Sequence, residues 1–119
     1  MTATNYGRGQ VVFSKADVGV EEDVRSYSYM DQLVSPWGEL SGVYNIAGIE
    51  GEFAKSGEAS IANYDNVMQV NTRSVFLSML LGIPLLVSRG GGAIVNTGSH
   101  LARHGAATLV ARRSTRSWG

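Results

Sequence analysis

The chain has 119 residues, 44% of them apolar and 17% charged, with ten acids matched by ten basic residues. That length suits one small globular domain with a modest core. The absence of cysteine excludes disulfides, thiolate catalysis and cysteine-ligated metal, and it fits a cytoplasmic protein.

The zero net charge hides an asymmetry. Four arginines (Arg103, Arg112, Arg113, Arg116) lie in a tail without acids, which leaves six of the ten basic residues to face all ten acids. A neutral-to-acidic body argues against a nucleic-acid face, and no aromatic residues alternate with the arginines of the tail. Met1 to Gly9 has no apolar run, so no signal peptide is expected there. The most apolar stretch, Val75 to Val87, is broken by Ser78, Gly82 and Pro84 and falls short of the roughly 20 residues a bilayer needs. A buried helix is expected there, and no membrane.

In chain order, Val11-Val12-Phe13 and the residues after it read as a short buried strand ending at Asp17. Glu21, Glu22 and Asp23 then supply acids suited to a helix N-terminus. Val20, Val24, Tyr27, Val34 and Trp37 recur on one helical face until Pro36 and Gly38 stop it. Leu40 to Ile46 reads as a second buried strand, closed by Ala47-Gly48. Glu50 to Ser60 is polar and reads as a loop with room for a short helix. From Ile61 to Ser88 one long helix is expected, with Tyr64, Val67, Met68, Asn71, Val75, Leu77 or Ser78, and Leu81 on its period and Pro84 bending its last turns. Gly90-Gly91-Gly92 is a loop. It precedes a strand, so it is no phosphate cradle, which follows a strand and opens a helix. Ala93 to Asn96 is a third buried strand.

Strand, helix, strand, long helix, strand points to the α/β class with parallel βαβ units. Ligands on such sheets bind beyond the carboxyl ends of the strands. The rule selects Asp17-Val18, Asn45-Ile46-Ala47-Gly48 and Asn96-Thr97-Gly98-Ser99, each joining a strand end to small or polar residues. Taken singly, each has a plainer reading. Asp17 suits a helix start, Asn45 a buried backbone partner, Asn71 a surface amide and Ser99 a turn. His100 and His104 read as loop histidines, and no metal site is expected. Thr97-Gly98-Ser99-His100 lacks the glycines of a hydrolase nucleophile turn.

Together these segments resemble the short-chain dehydrogenase/reductase family, over roughly Val11 to Val110. Asp17-Val18 is similar to its adenine-binding aspartate segment. Asn45-Ile46-Ala47-Gly48 resembles its Asn-Asn-Ala-Gly motif, with Ile46 in place of the second asparagine. Val70-Asn71-Thr72 is similar to the segment with the proton-relay asparagine, and Ile94 to Ser99 to the strand that delivers the catalytic serine. The resemblance implies a partial Rossmann-like, doubly wound parallel sheet with flanking helices over residues 1–111. It implies NAD or NADP as cofactor and hydride transfer with a small carbonyl or alcohol substrate. Ser99 and Asn71 would be catalytic, and Asp17, Val18, Asn45, Ala47, Gly48, Asn96 and Thr97 would bind cofactor. The family also uses the helix at 61–88 to build homo-oligomers.

Two family motifs are missing. The glycine-rich cofactor turn would lie upstream of Val11. The catalytic tyrosine and lysine, counted forward from Ser99, should fall near Arg112 and Arg116. Arginine cannot exchange a proton in the tyrosine's place. Residues 112–119 also lose the helical apolar pattern, as an out-of-frame ending would. The expectation is an incomplete and inactive oxidoreductase chain, with poor solubility from an uncovered sheet edge. The alternative is a non-catalytic Rossmann-like module for nucleotide binding or oligomerisation.

Overall fold

A computed structural model describes residues 2–6, 9–26, 40–55 and 57–99. The expected helical face through Tyr27, Val34 and Trp37, His100 and His104, the positions of Arg112 and Arg116 and the tail 112–119 all lie outside these residues.

Two strands, β1 (Thr2–Tyr6) and β2 (Gly9–Phe13), pair antiparallel with Tyr6 opposite Gly9. This corrects two expectations. The strand at Val11 stops at Phe13 and not Asp17, and Val11 and Phe13 are exposed, not buried. Threonine and tyrosine in residues 2–6 are good strand formers, and only two residues separate the strands, so a local hairpin closes with little loop entropy.

Helix α1 (Glu21–Ser26) starts where its acids predict. Its Glu21 takes Arg25 at 2.8 Å and Arg73, from the long helix, at 2.5 Å. The hydrogen bond from Arg25, reinforced by that from Arg73, holds the Glu21 carboxyl below the usual glutamate range.

Strands β3 (Gly42–Asn45) and β4 (Ala93–Asn96) pair parallel, with Asn45 opposite Asn96. The helical crossover between them makes this the βαβ unit that the sequence pattern predicts. Their burial differs from the expectation. Residues alternate exposed and half-buried along both strands, and Tyr44 is 63% exposed. The two-stranded sheet packs on the long helix through one face, so side chains of opposite parity meet solvent.

The crossover helix spans Ile61–Ser88 as expected, in three parts: α2 (Ile61–Met68), a π-turn (Gln69–Arg73) and α3 (Ser74–Ser88). Ser60 caps it by accepting from the Asn63 N–H at 3.1 Å. In the π-turn the Ser74 N–H donates to the Gln69 carbonyl, five residues back. That wider turn adds a residue and shifts the phase of everything after it. Ser74, Leu77, Gly82 and Leu86 are therefore the buried positions of α3, where an unbroken period would bury Val75. Pro84 sits inside α3 without ending it.

Val67, Leu77 and Leu86 form the core among the described residues. At 28 residues the whole helix is long and apolar enough to cross a membrane, which Val75 to Val87 alone is not. It packs on α1, β3 and β4, but only 22% of its apolar window is buried, so the buried helix expected at Val75 to Val87 is instead covered on one face only. It ends as Gly91 donates to the Leu86 carbonyl at 2.9 Å, with Gly90 and Gly91 at positive φ.

No short helix forms in the described part of the 50–60 loop. Its start is pinned by Asn63, whose Oδ1 accepts from the Glu52 N–H at 2.9 Å. Gly51 makes this approach possible: its φ is +75°, and a Cβ there would lie 2.5 Å from Val67 Cγ2. Gly51→Ala is expected to destabilise the fold by about 1–3 kcal/mol, from αL strain plus displacement of Val67. Urea unfolding checks this, and an unchanged midpoint would show that the loop is not seated on Val67.

Candidate functional site

The site grows from the π-turn. Its side chains at 69, 71 and 73 splay apart and reach three separate segments. Gln69 Nε2 donates to the Gly19 carbonyl at 2.6 Å, on the loop after β2. Asn71 takes both backbone groups of Ile49, on the loop after β3: Oδ1 accepts from the Ile49 N–H at 2.7 Å and Nδ2 donates to the Ile49 carbonyl at 2.8 Å. Arg73 holds Glu21 of α1.

On the first loop, Asp17 organises a tight turn. Its Oδ1 accepts from the Gly19 N–H at 2.8 Å, its carbonyl from the Val20 N–H at 3.0 Å, and its own N–H donates to Asp23 Oδ2 at 2.9 Å. A carboxylate offers about four acceptor positions, so one bond to Gly19 leaves capacity for a ligand hydroxyl. Gly19 is buried at the turn, where an added Cβ would lie 3.2 Å from Asp17 Oδ1 and 3.4 Å from Val70 Cγ2.

Asn45 and Asn96 meet across the sheet. Asn45 Nδ2 donates to Asn96 Oδ1 at 2.8 Å, and the Thr97 N–H donates to the Asn45 carbonyl at 2.9 Å. Both residues therefore hold the strand tips in register. The chain leaves β3 through Ile46-Ala47-Gly48 and β4 through Thr97-Gly98-Ser99 at the same end of the sheet. Ser99 is half-buried three residues beyond the Asn45–Asn96 bridge.

A cavity of about 380 Å³ opens beside β3, and Val18, Asn45 and Ala47 line it. The other proposed site residues (Asp17, Gly48, Asn71, Asn96, Thr97 and Ser99) are not in its wall. Gly48 lies against Asn71, whose Oδ1 would be 3.4 Å from an added Cβ. The structure thus gathers Gly48, Ile49 and Asn71 in one cluster and Asn45 and Asn96 in another, with Asp17 tied to the first through the π-turn. Gln69, Arg73 and Ile49 are the residues that sequence reasoning passed over. The signal was present: Gln69-Val70-Asn71-Thr72-Arg73 is a polar break in an otherwise apolar helix.

Among the described residues no group of acids and histidines is placed to hold a metal ion.

Asn71→Ala removes both partners of Ile49 and is expected to cost about 1–3 kcal/mol. The Ile49 amide should also exchange faster with solvent. Unchanged exchange at Ile49 would show that the clamp is not formed.

A family model described as short chain dehydrogenase matches residues 2–115. Cyclohexanol dehydrogenase from Acinetobacter sp. (strain SE19) is 38% identical over 91 residues, covering 76% of this chain and 36% of that protein. Levodione reductase from Leifsonia aquatica is 32% identical over 90 residues, covering 76% and 33%. Among solved structures, a 3-ketoacyl-ACP reductase from Sinorhizobium meliloti 1021 superposes with a TM-score of 0.82 at 33% identity, over 91% of this chain and 42% of that one. NAD+-bound xylitol dehydrogenase gives 0.76 at 25% identity, over 83% and 37%. The chain thus spans about a third of the length of these curated relatives. NAD or NADP is the cofactor that goes with this family. With its parallel β3–β4 pair, its long crossover helix and a match over nearly all of its length, the chain belongs to the short-chain dehydrogenase family and carries part of that family's Rossmann-like α/β fold.

Proposed function

We propose that this chain is the central part of an NAD(P)-dependent oxidoreductase that interconverts an alcohol and a carbonyl. The observation that carries the reading is the π-turn, which holds the loops after β2 and β3 within a single turn of one helix. Asp17 and Val18 then flank adenine and its ribose, with Asn45, Ala47, Gly48, Asn96 and Thr97 along the strand tips toward the nicotinamide side. Ser99 donates a hydrogen bond to the substrate oxygen and stabilises the charge that develops there. Asn71 keeps the loop that lines the cofactor in place and holds a water of the proton relay near its helix. The cofactor, when bound, supplies or accepts the hydride; the protein binds, orients and excludes water.

Arg112 and Arg116 stand where the proton-transferring tyrosine and its lysine are counted to fall. An arginine holds its proton throughout the neutral range, so this polypeptide by itself is inactive. Two measurements check the reading. Saturation-transfer NMR with AMP, NAD and NADP should show contact at the adenine protons, weakened at least several-fold in Asp17→Ala. Incubation with NAD(P)H and a panel of ketones and aldehydes should give no turnover. Absence of adenine contact would overturn the binding role, and turnover would overturn the inactivity.

A homo-oligomeric partner is supported by the outer face of α3. Phe76, Leu80, Ile83 and Val87 recur at helical spacing and are 60%, 48%, 42% and 69% exposed. A continuous apolar stripe of this kind is characteristic of an interface. A second copy covers it in our reading, and Leu80→Glu is expected to shift the chain to monomer in sedimentation. A native chain already monomeric at high concentration would refute the pairing.

A further inference from the structure

Gly19 stands between two side chains that never touch the same atom of it. The residue is buried, whereas Asp17, two positions earlier, is exposed. Side chains take both of its backbone groups. The Gly19 N–H donates to Asp17 Oδ1 at 2.8 Å, and the Gly19 carbonyl accepts from Gln69 Nε2 at 2.6 Å. The seat is close. A Cβ at Gly19 would stand 3.2 Å from Asp17 Oδ1, 3.4 Å from Val70 Cγ2 and 3.6 Å from Gln69 Cγ. A side chain there would crowd both the carboxylate and the π-turn.

Exposure sets the order of dependence. An exposed carboxylate on a loop is free to change rotamer, and a ligand that needs one rotamer must offset the lost freedom when it binds. The Gly19 N–H holds the Asp17 carboxyl in one orientation, and Gln69 in turn holds Gly19. Other bonds of the turn run toward α1 instead. The Asp17 carbonyl accepts from the Val20 N–H at 3.0 Å, and the Asp17 N–H donates to Asp23 Oδ2 at 2.9 Å. Gln69 therefore ties the turn to the long helix, and four residues on Arg73 ties α1 to it through Glu21. Of these two, it is Gln69 that reaches the residue in contact with the Asp17 carboxyl.

The chemistry at position 69 is specific. The carbonyl of a buried residue requires a donor, and the glutamine amide supplies one. Methionine has about the same reach and no N–H to give, while lysine keeps a donor in its ammonium group.

We propose that Gln69 is the positioning residue for Asp17: through Gly19 its N–H fixes the carboxylate that receives the adenosine part of the cofactor. The role rests on the cofactor reading above, which places Asp17 against the ligand. Adenosine is the probe, because it has no charge for a substituted residue to attract or repel. Adenine contact with the full chain is read by saturation-transfer NMR, and amide exchange is followed at Gly19 and Ile49. Gln69→Met is expected to weaken adenosine binding about five-fold, the scale of one hydrogen bond, and to speed Gly19 exchange about ten-fold. Exchange at Ile49 should stay at the native rate, and Gln69→Lys should recover most of both losses. Native adenosine binding in Gln69→Met, or equal losses in the Met and Lys variants, overturns the proposal and leaves the cofactor reading standing. Ile49 exchange rising in step with Gly19 also overturns it, because Gln69 would then merely hold the fold. A native chain without adenine contact overturns the cofactor reading, and this role falls with it.

Discussion

The two hydrogen bonds between the Asn71 amide and the Ile49 backbone are the constraint on which the rest of the site depends. A primary amide has the donor–acceptor geometry of a peptide group, so Asn71 pairs with Ile49 much as a neighbouring strand would. It extends order past the end of β3, where the chain would otherwise leave the sheet unsupported. The π-turn makes this possible by re-phasing the helix, so that Gln69, Asn71 and Arg73 reach outward to Gly19, Ile49 and Glu21 while Val67 and Leu77 stay in the core. Wide turns of this kind are costly in backbone geometry and tend to persist where a site requires them.

The resulting arrangement is economical in polar groups. Among the described residues no buried side-chain nitrogen or oxygen lacks a partner. Asn45 donates to Asn96, whose own amide N–H turns to the Met79 sulfur, and Ser74 turns its hydroxyl back onto the Val70 carbonyl within its own helix. Polar residues near a small core are tolerable only on such terms, because each unpaired group costs about 1–3 kcal/mol.

Much of this was legible in the chain itself. The strand expected at Leu40 to Ile46 forms over Gly42–Asn45, and the helix from Ile61 and the strand at Ala93–Asn96 form where apolar patterning and glycine punctuation put them. The Ser60 cap went unread. The hairpin was not legible, because Thr2–Tyr6 has no apolar run and its pairing depends on β2. Nor was the π-turn, since a search for a 3.6-residue period averages over one inserted residue. Burial was over-read for the strands. Periodicity marks which residues share a side, but coverage depends on what else packs there, and here one helix covers one face. Of the site, the residue types at the strand ends were visible, while the bonds that Gln69 and Arg73 make depend on a helical phase no pattern reveals.

Between Glu52, fastened by Asn63, and the Ser60 cap, the chain is anchored at both ends to the same two turns of helix. Loop-closure entropy grows only with the logarithm of length, so doubling such a segment costs about 0.6 kcal/mol. Insertions and deletions at 53–59 would therefore leave β3, its tip and the Asn71 pairing undisturbed. The architecture separates a stretch whose length can change at little cost from the hydrogen-bonded frame beside it.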